Sequence, residues 1–148
     1  MKTTGKTRQY IYGITLFFIT LSGFAQMPIF KRYYIADIPG LGWLAQFYVT
    51  HIMHYIAAIV LIALVTYILI DFILNRSRLI KITGIGYFGI LVLAGLIVTG
   101  ILMVVKNLSN IYFGHITVIV LDLTHLSLCM MLLFVSFYSV IRKKRWVV

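Results

Sequence analysis

All four histidines of this chain lie in two strongly apolar stretches, His51 and His54 in one and His115 and His125 in the other. Burying an imidazole in lipid without a partner is costly, so ionisable residues inside membrane spans indicate function. Neutral imidazole is also a common ligand of metals. Histidines paired across two neighbouring helices therefore predict a group held between them, and the leading candidate is a haem iron with two axial ligands.

The composition predicts a membrane protein. The 148 residues are 62% hydrophobic and 11% charged, with a mean hydropathy of +1.05. A soluble domain carries far more polar surface than this. Several apolar runs approach or exceed the ~18–20 residues that cross a bilayer. We predict an all-α, integral membrane four-helix bundle forming a single membrane domain over 1–148, with helices at about 10–26, 44–74, 82–105 and 114–141.

The distribution of the positive charge predicts the topology of the bundle. The net charge is +10, and ten of the thirteen Lys and Arg residues precede the first helix, lie between the second and third, or follow the fourth. Only Lys31, Arg32 and Lys106 lie in the other two connections. Cytoplasmic loops carry such an excess of Lys and Arg, so we expect both termini to be cytoplasmic. This pattern argues against a nucleic-acid-binding role.

The predicted depths of the histidines separate them into two pairs. At 1.5 Å of rise per residue, His54 and His125 lie roughly 15 and 17 Å below the outer ends of their predicted helices. His51 and His115 are shallower, at about 10 Å and a few Å. The similar depths favour His54 and His125 as the two axial ligands. The ~4.5 Å of rise between His51 and His54 leaves room for one haem only.

Three further residues are candidates for a nearby quinone site or for alternative ligands. These are His51, His115 and Asp122. Asp122 lies one helical turn before His125, so both point to a similar side, and it could handle protons or accept from a ligand histidine. Each of the three could equally be a polar residue without a chemical role, at the interface or in the bundle interior.

Short motifs give the chain a resemblance to a known family. They are Leu21-Ser22-Gly23, His54 followed by Tyr-Ile-Ala-Ala, Leu96-Ile-Val-Thr-Gly100, and His125 followed by Leu-Ser-Leu-Cys. In order, spacing and topology they resemble the four helices of the cytochrome b (gamma) subunits of respiratory formate dehydrogenases and NiFe hydrogenases. The chain also shows a faint internal repeat, in which Leu21-Ser22-Gly23 resembles Val98-Thr99-Gly100 and Thr50-His51 resembles Thr124-His125.

The resemblance implies electron transfer rather than catalysis by this chain. It implies a multi-pass subunit of a bacterial or archaeal cytoplasmic membrane, surrounded by lipid. The subunit would relay electrons between an extracytoplasmic Fe–S or cytochrome subunit and menaquinone or ubiquinone. It also implies one haem b on His54 and His125. The family's inner haem has no ligands here, because Gln9 and Ser139 lie near the two expected histidine positions.

Two other hypotheses for the role of the histidines remain open. The chain could be a haem-free membrane anchor of a larger enzyme or transporter complex, with histidines that form interior hydrogen bonds. Alternatively, the four outer histidines could bind copper or zinc, since imidazole suits both metals.

Overall fold

The chain folds into helices, as the sequence predicts. A computed structural model describes residues 3–27, 37–74 and 82–142. Over these ranges it contains four long helices and no strand: α1 (Thr3–Ala25), α2 (Phe47–Leu74), α3 (Gly84–Val105) and α4 (His115–Ile141). A short 3₁₀ helix, Gly42–Ala45, precedes α2. The all-α prediction is therefore confirmed.

Local signals explain where the helices begin. Thr83 caps α3, because its side chain accepts a hydrogen bond from the Gly86 N–H at 3.1 Å. Before α2, Gly40 has a positive φ of 88°, which glycine adopts at little cost, and the chain turns there. α1 begins earlier than the predicted Tyr10. Lys and Arg are good helix formers, so the basic residues that end the apolar run do not end the helix.

Three helices are long and apolar enough to cross a membrane: α2, α3 and α4. Large apolar side chains are exposed all along them, as expected for helices that contact lipid. The 28 residues of α2 span about 42 Å, more than the ~30 Å of a bilayer core, so α2 must tilt or project beyond it. α1 is 23 residues long but is not one of these three helices, and its membrane span stays a prediction.

The chain divides into two compact units, Met1–Arg76 and Ser77–Val148. In the first unit α1 packs on α2, and in the second α3 packs on α4. Each unit is thus a helical hairpin, and each is described by itself below. The buried side chains of the first hairpin are Thr15, Ser22, Ala25, Leu44, Thr50, Ala57 and Leu61. Those of the second are Val92, Leu93, Thr99, Leu121 and Leu132.

Candidate functional site

In the first hairpin, His54 of α2 is bonded to the last turns of α1. Its Nδ1 lies 3.0 Å from Ser22 Oγ and 3.1 Å from the carbonyl oxygen of Ile19. A carbonyl oxygen only accepts, so Nδ1 must carry the proton and Nε2 the lone pair. The Ser22 side chain is fully buried, and its hydroxyl donates to the Phe18 carbonyl at 2.7 Å. The oxygen of Ser22 is thus available to accept from Nδ1–H.

The second hairpin repeats this arrangement around His125 of α4. Its Nδ1 lies 2.8 Å from Thr99 Oγ1 on α3, and Thr99 is 9% exposed. The Thr99 hydroxyl has one proton, and the Gly95 carbonyl of the preceding turn lies 2.8 Å away. We assign that proton to the carbonyl, by analogy with the serine of the first hairpin. His125 then also carries its proton on Nδ1 and its lone pair on Nε2.

A glycine follows the hydroxyl residue in both hairpins and faces the imidazole. A Cβ atom built on Gly23 would lie 3.4 Å from His54 Cε1, and one on Gly100 would lie 3.7 Å from His125 Cε1. Either ring edge therefore lies directly against the backbone of the neighbouring helix. A side chain larger than alanine at either position would extend into the space of the ring. The hydroxyl-Gly dipeptide and the histidine form one packing unit, which each hairpin contains once.

One half of the internal repeat matches this equivalence, because Leu21-Ser22-Gly23 and Val98-Thr99-Gly100 each supply the hydroxyl and the glycine beside a histidine. The other half does not, because the structure makes His54, rather than His51, the counterpart of His125. The two threonines of that other half do not contact a histidine through their hydroxyls. Thr50 donates to its own helix at Gln46 and Phe47, and Thr124 does so at Val120.

Counted from the helix ends, the two bonded pairs lie at somewhat different positions. Ser22 lies three residues before the end of α1, whereas Thr99 lies six before the end of α3. His54 is seven residues beyond the start of α2, and His125 is ten beyond the start of α4. Both helices of the second hairpin thus extend about one turn further past the bonded pair. Hydrogen bonding, rather than distance from the helix ends, makes the two histidines equivalent.

The two shallower histidines have different surroundings. His51 is half-buried, and its Nδ1 lies 3.1 Å from Gln26 Oε1 just after α1. The Phe47 ring stacks on it, with centroids 5.0 Å apart, and the Tyr55 ring lies at 4.4 Å. His115 is the first residue of α4 and is exposed.

The acidic candidate, Asp122, lies in an ion pair. Its Oδ1 is 2.8 Å from Lys106 Nζ at the end of α3, and its side chain is 50% exposed. The group that bonds His125 Nδ1 is the Thr99 hydroxyl, so Asp122 does not have that role. Its possible role at a quinone site stays a prediction.

A second ion pair ties α1 to α2 at the other end of the first hairpin. Arg8 Nη1 lies 2.9 Å from Asp71 Oδ2, and Arg8 Nη2 lies 3.2 Å from the Tyr67 hydroxyl. The guanidinium also lies over the Tyr67 ring, 5.0 Å from its centroid. Together with the His54 bond near the end of α1, this ion pair fixes the hairpin at both ends.

Three positioning residues were not predicted as such from the sequence. Ser22 and Thr99 appear in the family motifs, but nothing in their spacing shows that they bond to histidines 32 and 26 residues away. Gln26, which holds His51, lies at the end of a helix and belongs to none of the motifs. The repetition of Ser/Thr-Gly at equivalent places was the available signal.

Neither a cluster of metal-binding side chains nor a comparison with known proteins identifies the site. Among the described residues, no three His, Cys, Asp or Glu side chains form a group that could hold a metal ion. A haem iron with two axial histidines needs no such group. Comparison of the chain with protein-family models, with curated proteins and with solved structures finds no match.

Proposed function

We propose that this chain is the b-type cytochrome membrane subunit of a respiratory oxidoreductase complex, with one haem b bound by His54 and His125. The observation that carries the proposal is the matched hydrogen bonding of these two histidines. In each, Nδ1 lies within 3.0 Å of a buried hydroxyl on the preceding helix, and we assign the ring proton to Nδ1. Each therefore offers Nε2 as its basic nitrogen, as an axial ligand must.

The residues around each histidine fit such a role. Histidines that bind metals almost always donate the other ring N–H to an acceptor, which fixes the tautomer and the ring orientation and makes the ligand more basic. Ser22 and the Ile19 carbonyl do this for His54, and Thr99 does it for His125. Gly23 and Gly100 keep side-chain atoms away from the edge of each ring. The donor set therefore suits haem b.

The bound haem would supply a one-electron carrier, and the chain would set its environment. The apolar helices would exclude water, and the two hydroxyl bonds would tune the basicity of the ligands, which are the levers on redox potential. The helices α2, α3 and α4 are predominantly apolar, so they offer few groups that could bind a polar substrate. Substrate chemistry would then belong to a partner subunit.

The topology and the partners follow from the charge pattern and from the resemblance. The excess of Lys and Arg supports cytoplasmic termini, a placement in which α1 also crosses the membrane. The hydroxyl–histidine pairs then lie in the outer half of the membrane. The electron partner on that side would be an extracytoplasmic Fe–S or cytochrome subunit. The partner within the bacterial or archaeal membrane would be menaquinone or ubiquinone.

The proposal is tested on the full chain purified in detergent from its native membrane. We expect a pyridine haemochrome spectrum of protohaem at one haem per chain, and a low-spin signal in electron paramagnetic resonance. His54→Ala and His125→Ala should each abolish that signal, whereas His115→Ala should keep it. Circular dichroism and gel filtration would show that each variant is folded. A folded but colourless wild-type protein would refute the proposal and favour the haem-free anchor.

A further inference from the structure

The amide of Gln26 has a defined orientation, which determines the tautomer of His51. Gln26 Nε2 donates to the carbonyl oxygens of Ser22 at 3.2 Å and Thr50 at 3.5 Å. The amide group must therefore direct Oε1, which only accepts, towards His51 Nδ1. It follows that His51 carries its proton on Nδ1. Its Nε2 nitrogen is the ring's hydrogen-bond acceptor.

The acceptor nitrogen of His51 lies in an aromatic setting at the surface of the first hairpin. Phe47, one turn before His51, stacks on its ring, and Tyr55, one turn after, lies against it at an angle of 56°. Phe47 is 50% exposed and Tyr55 36% exposed, so both rings also offer surface to a neighbour. Among the described residues of this hairpin, none forms a hydrogen bond with His51 Nε2. The acceptor nitrogen of His51 therefore lies next to the flat aromatic rings of Phe47 and Tyr55.

We propose that His51 binds a quinol, a dihydroxy aromatic molecule of the membrane, by accepting a hydrogen bond from its hydroxyl at Nε2. This inference rests on the proposed function, in which a quinone is the mobile electron partner. A quinol hydroxyl can donate to the lone pair, and its flat ring can pack on Phe47 and Tyr55. A phosphate group without a proton offers only acceptors, so a lipid phosphate does not match the lone pair. Gln26 is a positioning residue, because it acts through His51.

The chemistry predicts a preference for the reduced form of the ligand. A quinol has hydroxyl donors, whereas the oxidised quinone has only carbonyl acceptors, which cannot bond to the Nε2 lone pair. Binding is measured by quenching of protein fluorescence in detergent under anaerobic conditions, with menadiol and menadione as probes. We expect wild-type protein to bind menadiol about threefold to tenfold more tightly than menadione, the value of one hydrogen bond.

Two substitutions and one matched control test the assignment to His51. His51→Phe keeps an aromatic ring between its neighbours but removes Nε2, so it should abolish the preference for menadiol. Gln26→Leu should weaken the preference, because the ring is no longer held in one tautomer. Tyr112→Phe is the control, because it changes an aromatic residue that is 99% exposed in the second hairpin, and it should keep the wild-type preference. Equal preference in His51→Phe and wild-type protein, or no preference in either, would overturn the inference.

The haem spectrum of the same samples separates this inference from the proposed function. His51→Phe should retain the wild-type haem content, since its ring is not an axial ligand. A protein that lacks haem but prefers menadiol through His51 would refute the cytochrome assignment alone. A protein that holds one haem but shows no preference dependent on His51 would refute the quinol site alone.

Discussion

Substitution of Thr99 by valine is the most direct test of how His125 is held. Valine has nearly the shape of threonine but lacks the hydroxyl, so the change removes the 2.8 Å bond to Nδ1 with little change of packing. A buried donor left without an acceptor costs about 1–3 kcal/mol. Loss of the group that orients a metal ligand typically costs 10–100-fold in metal affinity. That range corresponds to about 1.4–2.8 kcal/mol of binding free energy, in addition to the cost to the stability of the fold.

The assay is a titration of the haem-free protein with haemin, followed by the Soret absorbance. We expect Thr99→Val to raise the dissociation constant 10–100-fold and Thr99→Ser to restore the wild-type value. Thr124→Val is the matched control, because Thr124 adjoins His125 but bonds to the Val120 carbonyl of its own helix. Equal affinities for Thr99→Val and Thr124→Val would show that the hydroxyl of Thr99 does not position the ligand.

The corresponding change in the first hairpin should have a smaller effect. Ser22→Ala removes one acceptor from His54 Nδ1, but the Ile19 carbonyl remains at 3.1 Å. We therefore expect a loss of less than tenfold in haem affinity. A larger loss in Ser22→Ala than in Thr99→Val would contradict the hydrogen-bond geometry of both hairpins.

Three further predictions concern single contacts within the hairpins. Gly100→Ala should raise the free energy of unfolding by about 0.5–1 kcal/mol, because alanine favours helix and its Cβ would lie 3.7 Å from the His125 ring. Gly95→Ala should raise the free energy of unfolding by less, since its Cβ would lie 3.1 Å from a leucine side chain. Thermal unfolding in detergent measures both, and a larger gain at Gly95 would contradict the packing. Arg8→Gln should lower the free energy of unfolding by up to about 1 kcal/mol, because the ion pair with Asp71 is about one-third exposed. High salt should reduce this difference between the variant and the wild type. Asp122→Asn should leave the haem spectrum unchanged; a shifted Soret band would place this carboxylate beside the haem.

The sequence predicts the helices better than it predicts their partners. Apolar runs determine where helices can cross lipid, so the predicted second, third and fourth helices differ from the structure by at most three residues at either end. The first helix is the exception, since its polar start carries charges that end an apolar run but not a helix. Residues 28–36, in the connection between the first and second predicted helices, lie outside the described residues.

The candidate site depends on contacts between helices that the sequence of a single helix does not reveal. His54 and His125 stand out because imidazole is rare and costly in such sequence. Ser22 and Thr99 do not, because serine and threonine in apolar helices usually bond to their own backbone, and these two also do so. Their second bond, to a histidine, depends on how two helices pack, and helical periodicity carries no information about that.

Each hydroxyl–histidine bond lies entirely within one hairpin, and this has a consequence for biogenesis. The bond between His54 and Ser22 joins α1 and α2, and the bond between His125 and Thr99 joins α3 and α4. Each hairpin can therefore establish the direction of its imidazole as soon as its own two helices have been inserted. Neither of these two bonds requires a residue from the other half of the protein.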